Sequence, residues 1–73
     1  MSYLLTKKNP EKNQKRFYSL HIAPTLFGGW SLVREWGRIG SSGTVKVDFF
    51  ATESEALEAM ESLKGEKLKR GYG

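Results

Sequence analysis

The chain is predicted to be an α+β domain, a small antiparallel β-sheet of four or five strands with one C-terminal helix packed on one face. Three observations predict it. Apolar residues alternate with a period of two in four runs before Thr52. Clusters of Gly, Pro, Asn and Ser punctuate those runs at spacings too short for crossover helices, which makes successive strands antiparallel. After Thr52 the apolar period changes to three and four residues.

The first strand spans Tyr3 to Lys7, with Leu4 and Thr6 on one side and Tyr3 and Leu5 on the other. Lys8 to Lys15 is rich in turn formers and reads as a solvated connection, the alternative being a loop whose lysines reach a phosphate backbone. Arg16 to Ile22 is the second strand; Tyr18, Leu20 and Ile22 make its apolar face, and Pro24 closes it. Gly28-Gly29 suits a turn with positive φ. The third strand runs from Trp30 to about Arg38, with Trp30, Leu32, Arg34 and Trp36 on one face. Gly37 interrupts this pattern, as at a bulge or a close backbone approach. Gly40-Ser41-Ser42-Gly43 has the composition of a hairpin turn, and Thr44 to Phe50 follows as the fourth strand, with Val45, Val47 and Phe49 facing inward by alternation.

Thr52 followed by Glu55 is a capping box, and Glu53 and Glu55 suit the positive end of a helix dipole. Ala56, Ala59, Met60 and Leu63 form the stripe laid on the sheet. Gly65 costs about 1 kcal/mol in a helix interior, which predicts an end near Lys64 or an irregular continuation through Lys67.

The totals bound the function. Seventy-three residues make one domain, 1–73, with one modest core, since a chain of this size buries only roughly 60% of its unfolded surface. The absence of cysteine excludes disulfides and thiolate chemistry and points to a cytoplasmic location. Met1 to Thr6 has neither a basic leader nor a long apolar run, so no signal peptide or membrane span is expected. The net charge of +4 is uneven: residues 1–50 carry +5 and residues 51–73 carry −1. Such a surplus suits a polyanion.

No enzyme, metal site or cofactor is expected. His21 is the only histidine, the carboxylates lie mostly on the helix, and Ser41 and Ser42 have no base beside them in the sequence. Gly37, Gly40 and Gly43 lack the lysine and following helix of a phosphate loop. Binding is the better class. Trp36-Gly37-Arg38 sets an indole, a bare backbone and a guanidinium side by side, which suits stacking on an exposed base and bidentate contact with a phosphate. Trp30, by contrast, begins the alternating face with Leu32 and reads as architecture. Arg34 is positioned to stack on Trp36 within its own face.

Trp36-Gly37-Arg38-Ile39-Gly40, with the preceding Phe27–Glu35 segment, the Phe49-Phe50 strand and a helix leading through Lys67 to Gly71-Tyr72, resembles the WGR domain over essentially the whole chain. WGR domains occur within DNA-dependent poly(ADP-ribose) polymerases and as short bacterial proteins, and the chain looks like the bacterial, stand-alone type. The resemblance implies an antiparallel sheet with one helix. It also implies a site at DNA breaks, where the motif's tryptophan packs on the nucleotide at the 5′ end and its arginine contacts DNA or neighbouring domains. Carried over, stacking falls to Trp36, close approach to Gly37, and phosphate or partner contact to Arg38. Charge alone adds Lys46, Lys67 and Arg70. The sequence contains no ADP-ribosyltransferase or zinc-finger region, so the polymerase's allosteric role is not carried over. The expected function is non-enzymatic recognition of DNA ends or single-stranded DNA; the alternative is a protein-interaction adaptor that uses the same aromatic-basic edge.

Overall fold

A computed structural model describes residues 1–73. Strands β1 (Ser2–Asn9), β2 (Gln14–Pro24), β3 (Trp30–Arg38) and β4 (Thr44–Phe50) form one antiparallel sheet in chain order, and helix α1 (Glu53–Lys69) covers one face. The α+β expectation holds, with four strands. Gly73 adds a one-residue bridge on the outer edge of β1, exchanging both backbone hydrogen bonds with Thr6 at 3.0 and 2.8 Å.

The core lies between sheet and helix. Leu5, Tyr18, Leu20, Ile22 and Leu32 meet Ala56 and Met60, all buried. Trp30, Phe50, Leu57, Ala59 and Leu63 pack around them. Tyr3 ties the helix to β1: its hydroxyl donates to Glu61 Oε1 at 2.8 Å, and Lys64 Nζ lies 4.0 Å from its ring centroid. The Thr52 half of the expected capping box forms, with Glu55 N–H donating to Thr52 Oγ1 at 3.2 Å, while the Glu55 carboxylate accepts from the Thr52 hydroxyl at 3.1 Å instead of from its backbone N–H.

Four local expectations need correction. First, the connection between β1 and β2 is much shorter than the sequence suggests. Pairing continues to Lys8↔Lys15 and Asn9↔Gln14, leaving one 3-10 turn at Pro10–Lys12 that ends on left-handed Asn13. Second, Gly37 makes no bulge, because Phe17↔Gly37 and Arg16↔Arg38 continue the ladder without a break. The close approach there comes from within the chain: a Cβ on Gly37 would lie 3.1 Å from Gly43 Cα, and one on Gly43 would lie 2.7 Å from the Trp36 carbonyl oxygen.

Third, α1 runs without interruption through Gly65. A Cβ at that position would meet nothing within 4 Å, so no packing conflict ends the helix there. The end comes at Gly71, φ +96°, with Gly71 N–H donating to Leu68 O and Tyr72 N–H to Lys67 O, both at 3.1 Å. This bond pair is a Schellman termination.

Fourth, Val45, Val47 and Phe49 face outward, Phe49 being 74% exposed. Phe49-Phe50 offers an aromatic ring to either side of the sheet, so alternation alone cannot choose between them. Pairing of Phe50 with Trp30 turns Thr44, Lys46, Asp48 and Phe50 toward the helix side. The opposite face has no covering layer, and a shift of one residue exchanges the two sets completely.

Candidate functional site

Cross-strand pairing builds the candidate site in two rows. On the helix side, Leu5, Tyr18, Trp36 and Thr44 lie opposite one another across the four strands. The next same-side row, two residues further along each strand, is Lys7, Arg16 and Arg38. An aromatic row therefore borders a cationic row, because each of three strands ends its apolar alternation in a basic residue at the same end of the sheet.

Direct pairing stacks the indole of Trp36 on Tyr18, with centroids 5.6 Å apart and planes inclined by 13°. The C-terminal turn brings in Tyr72, whose ring meets Tyr18 edge-on at 6.1 Å. Helix termination and the Gly73–Thr6 bridge together fix that ring. Lys67 Nζ sits 4.6 Å from the Tyr18 centroid and Lys7 Nζ 6.0 Å from that of Tyr72. Arg34 is held on the other side of the aromatic row: its guanidinium pairs with Asp48 at 3.0 Å and lies 6.0 Å from the Trp36 centroid.

Beside these rings opens a concavity of about 500 Å³, lined by Lys12, Asn13, Gln14, Lys15, Arg16, Trp36, Gly37, Arg38 and Tyr72. Four cations and no carboxylate line it. The volume lies within the range of small-ligand sites. Half-buried Trp36 forms an apolar wall, and exposed Arg16 and Arg38 have guanidinium groups available to an incoming anion.

Of the six residues singled out from sequence, Trp36, Gly37 and Arg38 line this concavity, and Lys67 flanks it over Tyr18. Lys46 pairs across the sheet with Arg34 and does not line it. Arg70 also lies outside, with its guanidinium 3.4 Å from Glu66. Sequence reasoning missed Arg16 and Tyr72, and it ranked the solvated reading of the Lys8–Lys15 connection above the phosphate-reaching one that would have included Lys12 and Lys15. A signal for Arg16 was present, since it stands two residues from Tyr18 as Arg38 stands two from Trp36. Tyr72 belongs to the stretch that carries the family resemblance, but nothing local placed it in the site, because its position depends on how the helix ends.

No group of His, Cys, Asp and Glu side chains is arranged to hold a metal ion, and no helix is long and apolar enough to cross a membrane. The family model described as the WGR domain matches residues 1–73. A curated relative, the uncharacterised protein y4dW of Sinorhizobium fredii (strain NBRC 101917 / NGR234), is 42% identical over 64 residues, 88% of this chain and 31% of the relative. The chain thus spans less than a third of that relative's length. No solved structure matches.

Proposed function

The chain belongs to the WGR domain family, whose members are nucleic-acid-binding rather than catalytic modules, and from that premise we propose that it recognises DNA ends or single-stranded DNA. The observation that carries the reading is the lining of the concavity: an indole and a phenol ring among four cations, with no carboxylate. A polyanion meets no like charge there. An aromatic wall adds selectivity, since the base faces of a closed duplex are already stacked on their neighbours. Ends and single strands leave a face free, and each stacked base is worth roughly 1–3 kcal/mol by alanine substitution.

In this reading Trp36 receives the base or sugar, supported from behind by Tyr18. Arg38 and Arg16 take phosphate oxygens, with the fork geometry of guanidinium favouring bidentate contact. Gly37 offers its backbone to the concavity, while its missing side chain makes room on the opposite face for Gly43. Lys12, Lys15 and Lys67 add positive field along the path of the strand. Lys46 and Arg70 contribute at longer range, and salt screens them most.

The test is a fluorescence titration with a single-stranded oligonucleotide, a blunt 5′-phosphorylated duplex and closed circular DNA. The single strand and the blunt duplex are expected to bind more tightly than the circle, and all affinities to fall steeply with added salt. Failure of every form to bind more tightly than roughly 100 μM at physiological salt overturns the proposal, because even non-specific binders reach that range. The protein-adaptor reading predicts the opposite salt behaviour, with affinity for the partner almost unchanged.

A further inference from the structure

The two outer edges of the sheet differ. The edge of β1 is occupied at its middle by Gly73, which takes both free backbone groups of Thr6. The edge of β4 has no backbone partner over its seven residues, Thr44–Phe50. An unpaired edge of this length is a template for another strand. Its outward-turned side chains are apolar, with Val45 56%, Val47 42% and Phe49 74% exposed.

We propose that the β4 edge is a self-association surface whose partner is a second copy of this chain, paired antiparallel about a two-fold axis at Val47 to give one eight-stranded sheet. The charge pattern of Val45-Lys46-Val47-Asp48-Phe49 selects both the partner and the register. A two-fold axis relating adjacent antiparallel strands stands perpendicular to the sheet, so both copies present the same face on the same side. The axis must then pass beside a residue, with partners on matching faces.

Among these registers, the one centred on Val47 sets Lys46 opposite Asp48 of the other copy, twice. It also sets Val45 opposite Phe49 and Val47 opposite itself. Moving the centre to Lys46 or to Asp48 places like charges directly opposite each other, which is destabilising. Centres further out lose most of the strand overlap. Lys46 is exposed and Asp48 half-buried on the helix side, so both carry charge at the edge. Asp48 retains its contact with Arg34 on the inner side.

On the open face the pairing sets Val45, Val47 and Phe49 of the two copies side by side, so that exposed apolar side chains gain cross-strand contacts they lack in one chain. No β4 residue lines the basic concavity, so such a dimer displays two of them.

Sedimentation velocity and native mass spectrometry test the proposal, with far-UV circular dichroism monitoring the fold. The expected result is a concentration-dependent species of twice the 8.3 kDa chain mass. Val47→Lys changes an exposed side chain at the axis and is expected to weaken association at least about tenfold through like-charge apposition, with a melting curve that matches wild type at concentrations where both are monomeric. Lys46→Asp sets a carboxylate directly opposite Asp48 of the other copy, twice, and is expected to do the same. The exchange Lys46→Asp with Asp48→Lys is expected to restore the dimer, and Arg34 keeps a carboxylate beside it because position 46 is its register partner. A wild-type chain that stays monomeric up to roughly 1 mM overturns the proposal. So does a Val47→Lys chain that dimerises as tightly as wild type, or an exchange variant that is folded yet monomeric.

Discussion

Trp30 and Trp36 stand on the same strand and the same face, six residues apart, yet they serve opposite ends of the molecule. Trp30 has Pro24 on one side and Phe50 on the other and packs against the core. No basic residue shares its cross-strand row. Trp36 also packs on the core, through Tyr18, but the row beyond it is Lys7, Arg16 and Arg38. The indole at one end closes the hydrophobic layer, whereas at the other it meets a cationic concavity. Residue type is the same in both places; what differs is the row of neighbours that the pairing register supplies. In the proposed reading, the charge beside Trp36 is what suits it to binding, and the aromatic and proline neighbours of Trp30 leave that ring a part of the core margin.

Substitutions can break that comparison, beginning with the largest effect. Trp30→Ala removes a large ring from the core margin and is expected to cost about 3 kcal/mol of stability in urea denaturation. DNA affinity of the folded fraction should stay at the wild-type level. Trp36→Ala should show the converse emphasis, with affinity for single strands and blunt ends falling by about 1–3 kcal/mol in the titration. If both variants lose affinity equally once folding is corrected for, the two ends are not functionally distinct.

A smaller and more specific effect is expected from Arg38→Ala. Loss of one phosphate contact should reduce the slope of log affinity against log salt by about 0.7 for a single strand. Gly65→Ala is the smallest change and sharpens the contrast from the other direction. The helix continues through that position with open space around it, so stability should rise by about 0.5–1 kcal/mol, with DNA affinity unchanged.

Much of the molecule is legible in its sequence. The alternation in residues 16–22 and 30–36 dictates which side chains of β2 and β3 share a face, and Tyr18, Leu20, Ile22 and Leu32 are buried as expected. Thr52 and Glu55 mark the start of the helix because capping is a local interaction within four residues. Trp36-Gly37-Arg38 stands out as a candidate because its three groups are adjacent in the chain. Each of these depends on short-range geometry, which a sequence carries directly.

Tertiary structure decided the rest. Whether Val45, Val47 and Phe49 or Thr44, Lys46, Asp48 and Phe50 face the helix turns on a register of one residue, and Phe49-Phe50 leaves that choice open locally. The Trp30–Phe50 pairing and the return of the helix over that face make it. Lys7, Arg16 and Arg38 lie far apart in sequence, and only strand pairing aligns them into one row. Tyr72 reaches Tyr18 because the helix runs through Gly65, turns at Gly71 and is held by the Gly73–Thr6 bridge. Alternation and capping are properties of consecutive residues, so the sequence alone determined the order and type of the elements, the start of the helix and the facing of β2 and β3. The cationic site and the exposed β4 edge are sums over residues brought together from distant parts of the chain, and only the packed sheet and helix determine which of them meet.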